Sequence, residues 1–418
     1  MSEERRRQYA WALYDWGNSA FATTVIAGLF PIFFEQYWAS NLDSGTRTFW
    51  LGVASSVSSL VVVILAPLLG SVADRGGLKK RFLAVFTALG VLSTAAFYWV
   101  GQGEWMIATI LFTLGSIGFQ AGTSFYDSLI VNVARDKQMD RVSSLGYGLG
   151  YLGGGALFAL NVMMVLKPQM FGLADAAAAT KTSFLLVALW WALFAIPLFR
   201  KVPEQRARGS SAMADLRAGI GQLRATVGEL RKLKPVWMFL LAYWLYIDGV
   251  DTIVRMAVDY GLTLGFPSSS LITALLMVQF IGFPAAIGFG FIAGRIGTKR
   301  ALYIALSVYI GVTCWAYLLQ TVAQFYLMAA AIGLVQGGVQ ALSRSYYARL
   351  IPADKAGEFF GFYNMLGKFA AVLGPIAVGV TKLLTGDARL SMLILVLFFI
   401  VGMLLLSRVP NPEPAPAA

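Results

Sequence analysis

An apolar run of about 20 residues or more recurs twelve times along this chain of 418 residues, with short polar gaps between. A helix of that length matches the hydrocarbon thickness of a bilayer. Inside hydrocarbon each backbone N–H and C=O must be satisfied within its own element, so such runs fold as helices packed side by side. The segments are about 10–36, 49–73, 82–101, 104–132, 142–166, 181–200, 236–261, 268–292, 300–320, 323–349, 358–384 and 388–408. Hydrophobic residues make up 58% of the chain and charged residues 13%, against roughly 45–50% and 25% in soluble domains. The excess runs the whole length, which excludes a soluble domain carrying one anchor and predicts an all-α polytopic membrane protein.

The formal charge of +12 does not point to nucleic acid, because the basic residues fall in the gaps between apolar runs. Alternate gaps are unequal. One set, with both ends of the chain, holds 25 of the 33 Lys and Arg; the other holds five, namely Arg47, Lys167, Lys181, Lys382 and Arg389. The positive-inside rule then places both termini in the cytoplasm. The start, MSEERRRQYA, is polar and lacks a cleavage-like site, so no signal peptide is expected. Cys314 is the single cysteine, which rules out an internal disulfide framework and a multi-thiol metal site. There is no histidine, so any proton handling falls to Asp, Glu, Tyr or Lys. No phosphate-binding GxxxxGK[ST] loop and no catalytic constellation appears. We therefore expect neither an enzyme nor an ATP-driven pump, and no cofactor or metal.

Two gaps are near-copies. Gly70–Arg81 reads GSVADRGGLKKR and Gly290–Arg300 reads GFIAGRIGTKR. They begin about half a chain apart, as expected of two similar halves. Gly70, Asp74, Arg75, Gly77, Lys79, Lys80 and Arg81 resemble the glycine–aspartate–arginine–glycine–basic loop of major facilitator superfamily transporters, which joins their second and third helices. The second copy keeps Gly290, Arg295, Gly297, Lys299 and Arg300, with Gly294 where the first has Asp74. The resemblance implies two pseudo-symmetric six-helix halves, at 1–200 and 236–409. A linker at 201–235 joins them, and a Pro/Ala-rich tail at 410–418 is expected to be disordered. In the linker, Leu216, Ile220, Leu223, Val227 and Leu230 recur at spacings of four and three, with Arg217, Arg224 and Arg231 to one side. That pattern predicts an amphipathic interfacial helix.

Four further stretches are similar to one branch of the superfamily, the autophagy-related vacuolar amino-acid effluxers and their bacterial relatives. They are Tyr14–Val25, GYGLGYLGGG at Gly146–Gly155, YIDGVDTI at Tyr246–Ile253 and QGGVQALSRS at Gln336–Ser345. Gly146, Gly150 and Gly154 lie four apart and read as a stripe for close helix packing. GPIAVG at Gly374–Gly379 marks a kinked or pliable eleventh segment. The drug/proton antiporter signature resembles these stretches in part only, since Tyr151 stands where its proline would be.

Charges within membrane spans are costly and usually face a cavity or a partner. Candidates are Asp15 and Asn18 on the first segment, Asp127 on the fourth, Asp248 and Asp251 on the seventh, Gln336, Gln340 and Arg344 on the tenth and Lys368 on the eleventh. The family resemblance places the first, fourth, seventh and tenth helices along the central path, and on that basis these residues bind substrate or couple it to an ion. Gln120 and Gln279 also lie within spans, where their amides orient a polar ligand or bridge helices. Glu35 and Arg255, near outer helix ends, form an expected outer gate, while Asp251, Arg255 and Asp259 share a helix face. The resemblance further implies that Asp74, with Arg75, faces the start of the eleventh helix near Lys355 and Glu358, whose dipole favours a negative charge.

Both signs of charge along the path fit a zwitterion. The expected function is secondary transport of a small polar or zwitterionic metabolite, an amino acid or related compound, by efflux and with proton coupling. The partners are the small molecule, membrane lipid and protons; nucleic acid is not among them, and the chain is expected to act as a monomer. The competing classes are a non-transporting receptor or scaffold, and a mover of amphipathic drugs, lipids or peptidoglycan fragments.

Overall fold

The computed structural model describes residues 2–135, 138–204 and 233–411. The amphipathic linker helix expected within 201–235 and residues 412–418 of the tail lie outside the described residues. So do the side chains of Arg255, Asp259 and Lys368.

Helix α1 runs from Glu3 to Trp38. It is followed by α2 (Ser44–Gly76), α3 (Lys79–Ala96), α4 (Trp105–Ser128), α5 (Met139–Leu166), α6 (Ala176–Lys201), α7 (Lys234–Thr263), α8 (Ser268–Ile296), α9 (Thr298–Ala316), α10 (Val322–Leu350), α11 (Ala356–Thr385) and α12 (Ala388–Ser407). Among the described residues, ten helices are long and apolar enough to cross a membrane. α9 and α11 fill the two remaining places in the expected order, the first opening on Lys299 and Arg300 and the second carrying Glu358 in its first turn.

Local chemistry sets the ends. Asp43 accepts from Thr46 N–H at 3.0 Å to start α2, Asp175 caps α6, and Thr321 with Gln324 forms a capping box on α10. The two near-copy turns share a stop: Gly77 ends α2 at φ +59° and Gly297 ends α8 at φ +90°. A side chain at either position would clash with its own backbone, so both turns require glycine. In α1 the regular helix gives way to π-helical turns over Phe21–Leu29 and again over Phe34–Trp38. Pro31 lies between them; it has no N–H to donate and its ring crowds the carbonyl four residues back, which a widened turn relieves.

The helices group into two compact units, Met1–Val133 with Leu149–Ile220, and Ala134–Gly148 with Gly221–Ala418. The first turns of α5 thus belong with the C-terminal helices. Pairing within the units repeats with a shift of six. In the first unit α1 packs on α6, α2 on α4, α3 on α4 and α3 on α6; in the second α7 packs on α12, α8 on α10, α9 on α10 and α9 on α12. The half-chain repeat seen in the two turns is therefore a repeat of packing as well. Burial differs between helices: the apolar stretch of α7 is 72% buried and that of α8 is 22% buried, so α7 is internal to its unit while α8 presents an apolar face outward.

Glycines of α5 seat α1. A Cβ at Gly153 would stand 2.5 Å from the Trp16 carbonyl, and one at Gly154 2.8 Å from Thr23 Oγ1. A Cβ at Gly150 would stand 2.6 Å from Ser19 Oγ, so two members of the expected stripe, Gly150 and Gly154, pack on α1. At the other end of the chain, Lys299 Nζ donates to the carbonyls of Ser407 at 3.0 Å and Val409 at 2.6 Å. Tyr346 O–H donates to that of Pro410 at 2.8 Å.

Candidate functional site

In the first unit the polar centre lies where α1 meets α4. Asp15 is buried and accepts from Tyr126 O–H at 2.7 Å. The Tyr126 ring stacks on Trp11 at 4.5 Å and on Tyr14 at 4.9 Å, and the Tyr14 hydroxyl meets Thr87 Oγ1 at 2.8 Å. The carboxylate therefore sits at the end of an aromatic stack that limits its hydration. Asn18 and Asp127 are buried on the same two helices. Gln120 donates to Ser58 Oγ at 3.4 Å, while its amide oxygen is buried without a protein hydrogen bond. Asn161 on α5 donates to Thr24 Oγ1 in the π-helical stretch at 3.4 Å, and its own oxygen is likewise unsatisfied.

The basic turn of this unit is built around Asp74, which pairs with Lys79 at 2.7 Å; the two side chains are 2% and 10% exposed. Lys80 carries the turn onto the end of α6. Its N–H donates to Glu204 at 3.2 and 3.3 Å, and its ammonium donates to the Val202 carbonyl at 2.9 Å. Glu204 thereby supplies the acceptor that α3 lacks at its own N-cap, Leu78. Burial raises the Glu204 pKa above the usual carboxylate range, opposed by the N–H groups and charges of Lys80 and Lys79. Arg75 is exposed. Glu35, expected in an outer gate, lies 3.5 Å from Arg47 and is 60% exposed; the Arg255 side chain lies outside the described residues.

In the second unit Asp248 is wholly buried on α7. Both its oxygens accept from Gly374 N–H on α11 at 3.0 Å, and Thr252 donates to it at 3.4 Å. Asp251, three residues on, is half-buried. Gln336 is buried on α10 and its amide oxygen finds no protein partner; Gln340 is half-buried one turn further. Arg344 is 1% exposed. Its guanidinium donates to Ser143 Oγ and to the Ser143 carbonyl, both at 2.9 Å, and lies over the Tyr147 ring at 4.2 Å. The structure thus gives Arg344 a set of partners on the first turns of α5.

A neighbouring cluster was not anticipated from the sequence. Asp140, the second residue of α5, pairs with Arg349, accepts from Thr298 Oγ1 at 2.8 Å and accepts from Ser345 O–H. Arg349 also donates to Thr298 Oγ1 at 2.8 Å. Ser143 O–H donates to the Ala341 carbonyl at 2.7 Å. Asp140 falls in the polar gap before the fifth segment and Arg349 is the last residue of the tenth, so neither stood out in the sequence, yet both are buried or nearly so. Beside it, Tyr243 stacks on Tyr363 at 4.2 Å and Tyr363 on Tyr347 at 5.0 Å. Among the described residues no group of His, Cys, Asp or Glu could hold a metal ion.

Comparison with known proteins bears on this arrangement. Residues 42–414 match the family model described as vacuole effluxer Atg22 like. An uncharacterized MFS-type transporter, YxiO of Bacillus subtilis, is 37% identical over 98% of this chain and 96% of its own. Autophagy-related protein 22 of Eremothecium gossypii is 22% identical over 96% of this chain and 90% of its own. Among solved structures, the human organic anion transporter MFSD10 (TETRAN) superposes with a TM-score of 0.75 at 16% identity, covering 97% of this chain and 100% of its own. The proton:xylose symporter XylE superposes with a TM-score of 0.71 at 15% identity, covering 99% and 96%. Those likenesses establish the fold. On the family match, with the internal packing repeat and the buried intramembrane charges, the chain belongs to the Atg22-like vacuole effluxer family of major facilitator transporters.

Proposed function

We propose that this transporter exports a small polar or zwitterionic metabolite of the amino-acid class by alternating access, coupled to protons, as a monomer in a bacterial inner membrane with both termini cytoplasmic. The observation that carries the reading is that amide oxygens of Gln120 and Gln336 are buried, one in each helix unit, without a protein hydrogen bond. An unsatisfied buried carbonyl is costly, and the ammonium or hydroxyl of a polar substrate is a donor that answers it. In the same reading the halves 1–200 and 236–409 rock about a central path. The substrate carboxylate turns to Arg344 or Lys368, and its ammonium, read from the sequence as near Asp248 or Asp251, to Asp251, because Asp248 is wholly buried against Gly374. Asp248 first and Asp15 second are the carboxyl groups in this reading to carry the coupled proton, since the chain has no histidine. Asp74, Arg75, Glu35 and Arg255 bias which state is populated.

The test has two arms. The purified protein is screened for thermal stabilisation by the proteinogenic L-amino acids, since a ligand of the folded state raises apparent stability. The best stabiliser is then followed in proteoliposomes under an imposed pH gradient. We expect stabilisation by at least one amino acid and flux that follows the gradient. Stabilisation by organic anions or detergent-like drugs alone sinks the substrate class; flux indifferent to the gradient sinks the coupling.

A further inference from the structure

Asp248 is placed for a duty other than meeting substrate. It lies about 20 Å along α7 from Lys234, at the depth where an ionised carboxylate is most costly. Yet both of its oxygens point at one backbone N–H, that of Gly374, in the middle of α11. The next residue is Pro375. Proline removes an N–H from the helix ladder and its ring crowds the carbonyl four residues earlier, so the ladder is weakest in that turn. Thr252, one turn after Asp248, donates to the same carboxylate. The fit leaves no room for a side chain at residue 374. A Cβ there would come within 2.0 Å of Thr252 Oγ1 and 2.8 Å of Asp248 Oδ1. Glycine, proline, carboxylate and hydroxyl therefore form one device across two helices. A side chain that reaches into a helix ladder is a recognised cause of a bend, and a charged acceptor on a backbone N–H is a strong bond.

We propose that Asp248, braced by Thr252, holds the Gly374–Pro375 turn of the otherwise continuous helix α11 and fixes the direction of the outer half of that helix. It is thus a positioning residue in the transport cycle and not a substrate ligand. The inference stands whatever the substrate is. It is tested on the full chain in lipid nanodiscs. The background is Cys314→Ser, with spin labels at Leu383 beyond the proline turn on α11 and at Leu318 after α9, both well exposed. Their distance distribution is read by pulsed electron resonance. Asp248→Ala should widen it about twofold, because the outer half of α11 gains freedom. Asp248→Asn, whose amide oxygen still accepts from Gly374 N–H, should keep the original width. With Pro375→Ala the ladder regains its N–H, so adding Asp248→Ala should then change nothing. Should Asp248→Ala fail to fold, the double variant decides alone: folded and narrow supports the device, unfolded or wide overturns it. An unchanged width in Asp248→Ala, equal widening with and without Pro375, or an Asn variant as wide as the Ala variant also overturns it.

Discussion

Asp140 holds three partners from two other helices, and that makes it the residue whose loss should be felt most. Its pair with Arg349 is largely shielded, with the two side chains 9% and 16% exposed. Removing one partner leaves the other charge buried and unanswered, which costs about 3–5 kcal/mol. We expect Arg349→Ala and Asp140→Ala each to lower the melting temperature of the detergent-purified protein clearly. The double variant should recover part of that loss; additive losses would show that the pair is not the source. Such a pair was legible only as a gap charge and a helix-end charge, because sequence records where a charge falls along the chain and not what folds over it. Arg344 is the opposite case. Its place within an apolar run announced burial, but its partners Ser143 and Tyr147 lie some 200 positions away, beyond any reading of local pattern.

At the scale of elements, the helices were legible because hydrophobic length is a local property, and the near-copy turns because glycine at positive φ leaves a mark in sequence. The π-helical turns of α1 were not, since they settle a local conflict around Pro31 that no periodicity reveals. Nor was the clasp between the first turn and Glu204. Its raised pKa gives a signed expectation. A carboxyl group with a folded pKa above its unfolded value contributes stability below the unfolded pKa and loses it as pH rises through the folded one. Melting temperature should therefore fall as pH rises through and above the ordinary carboxylate range. Glu204→Gln should remove that part of the slope; an unchanged pH profile in the variant would refute the clasp as its source. The seat of α1 on α5 is likewise open to trial. Gly154→Leu must displace Thr23 and the Ser19 carbonyl, which overpacks the contact and should cost roughly 1–3 kcal/mol or more. A variant that melts like the parent would mean the helices separate freely there.

For the whole molecule, the lopsided loop charges predict that both ends of the chain share a side. Single cysteines placed at Ser2 and at Asn411 in a Cys314→Ser background should react with an impermeant thiol reagent only after cells are opened. Labelling of either end in intact cells would overturn that orientation. The anchoring of the last helix also bears on how this protein can be handled. Lys299 and Tyr346 grip the main chain at Ser407, Val409 and Pro410 through carbonyl oxygens and not through side chains. Substitutions along that stretch should therefore be tolerated, whereas a shortened one should not. A purification tag or fluorescent fusion joined after Asn411 leaves all three acceptors in place. One joined directly after Leu406 takes them away and leaves a lysine and a tyrosine with nothing to hold.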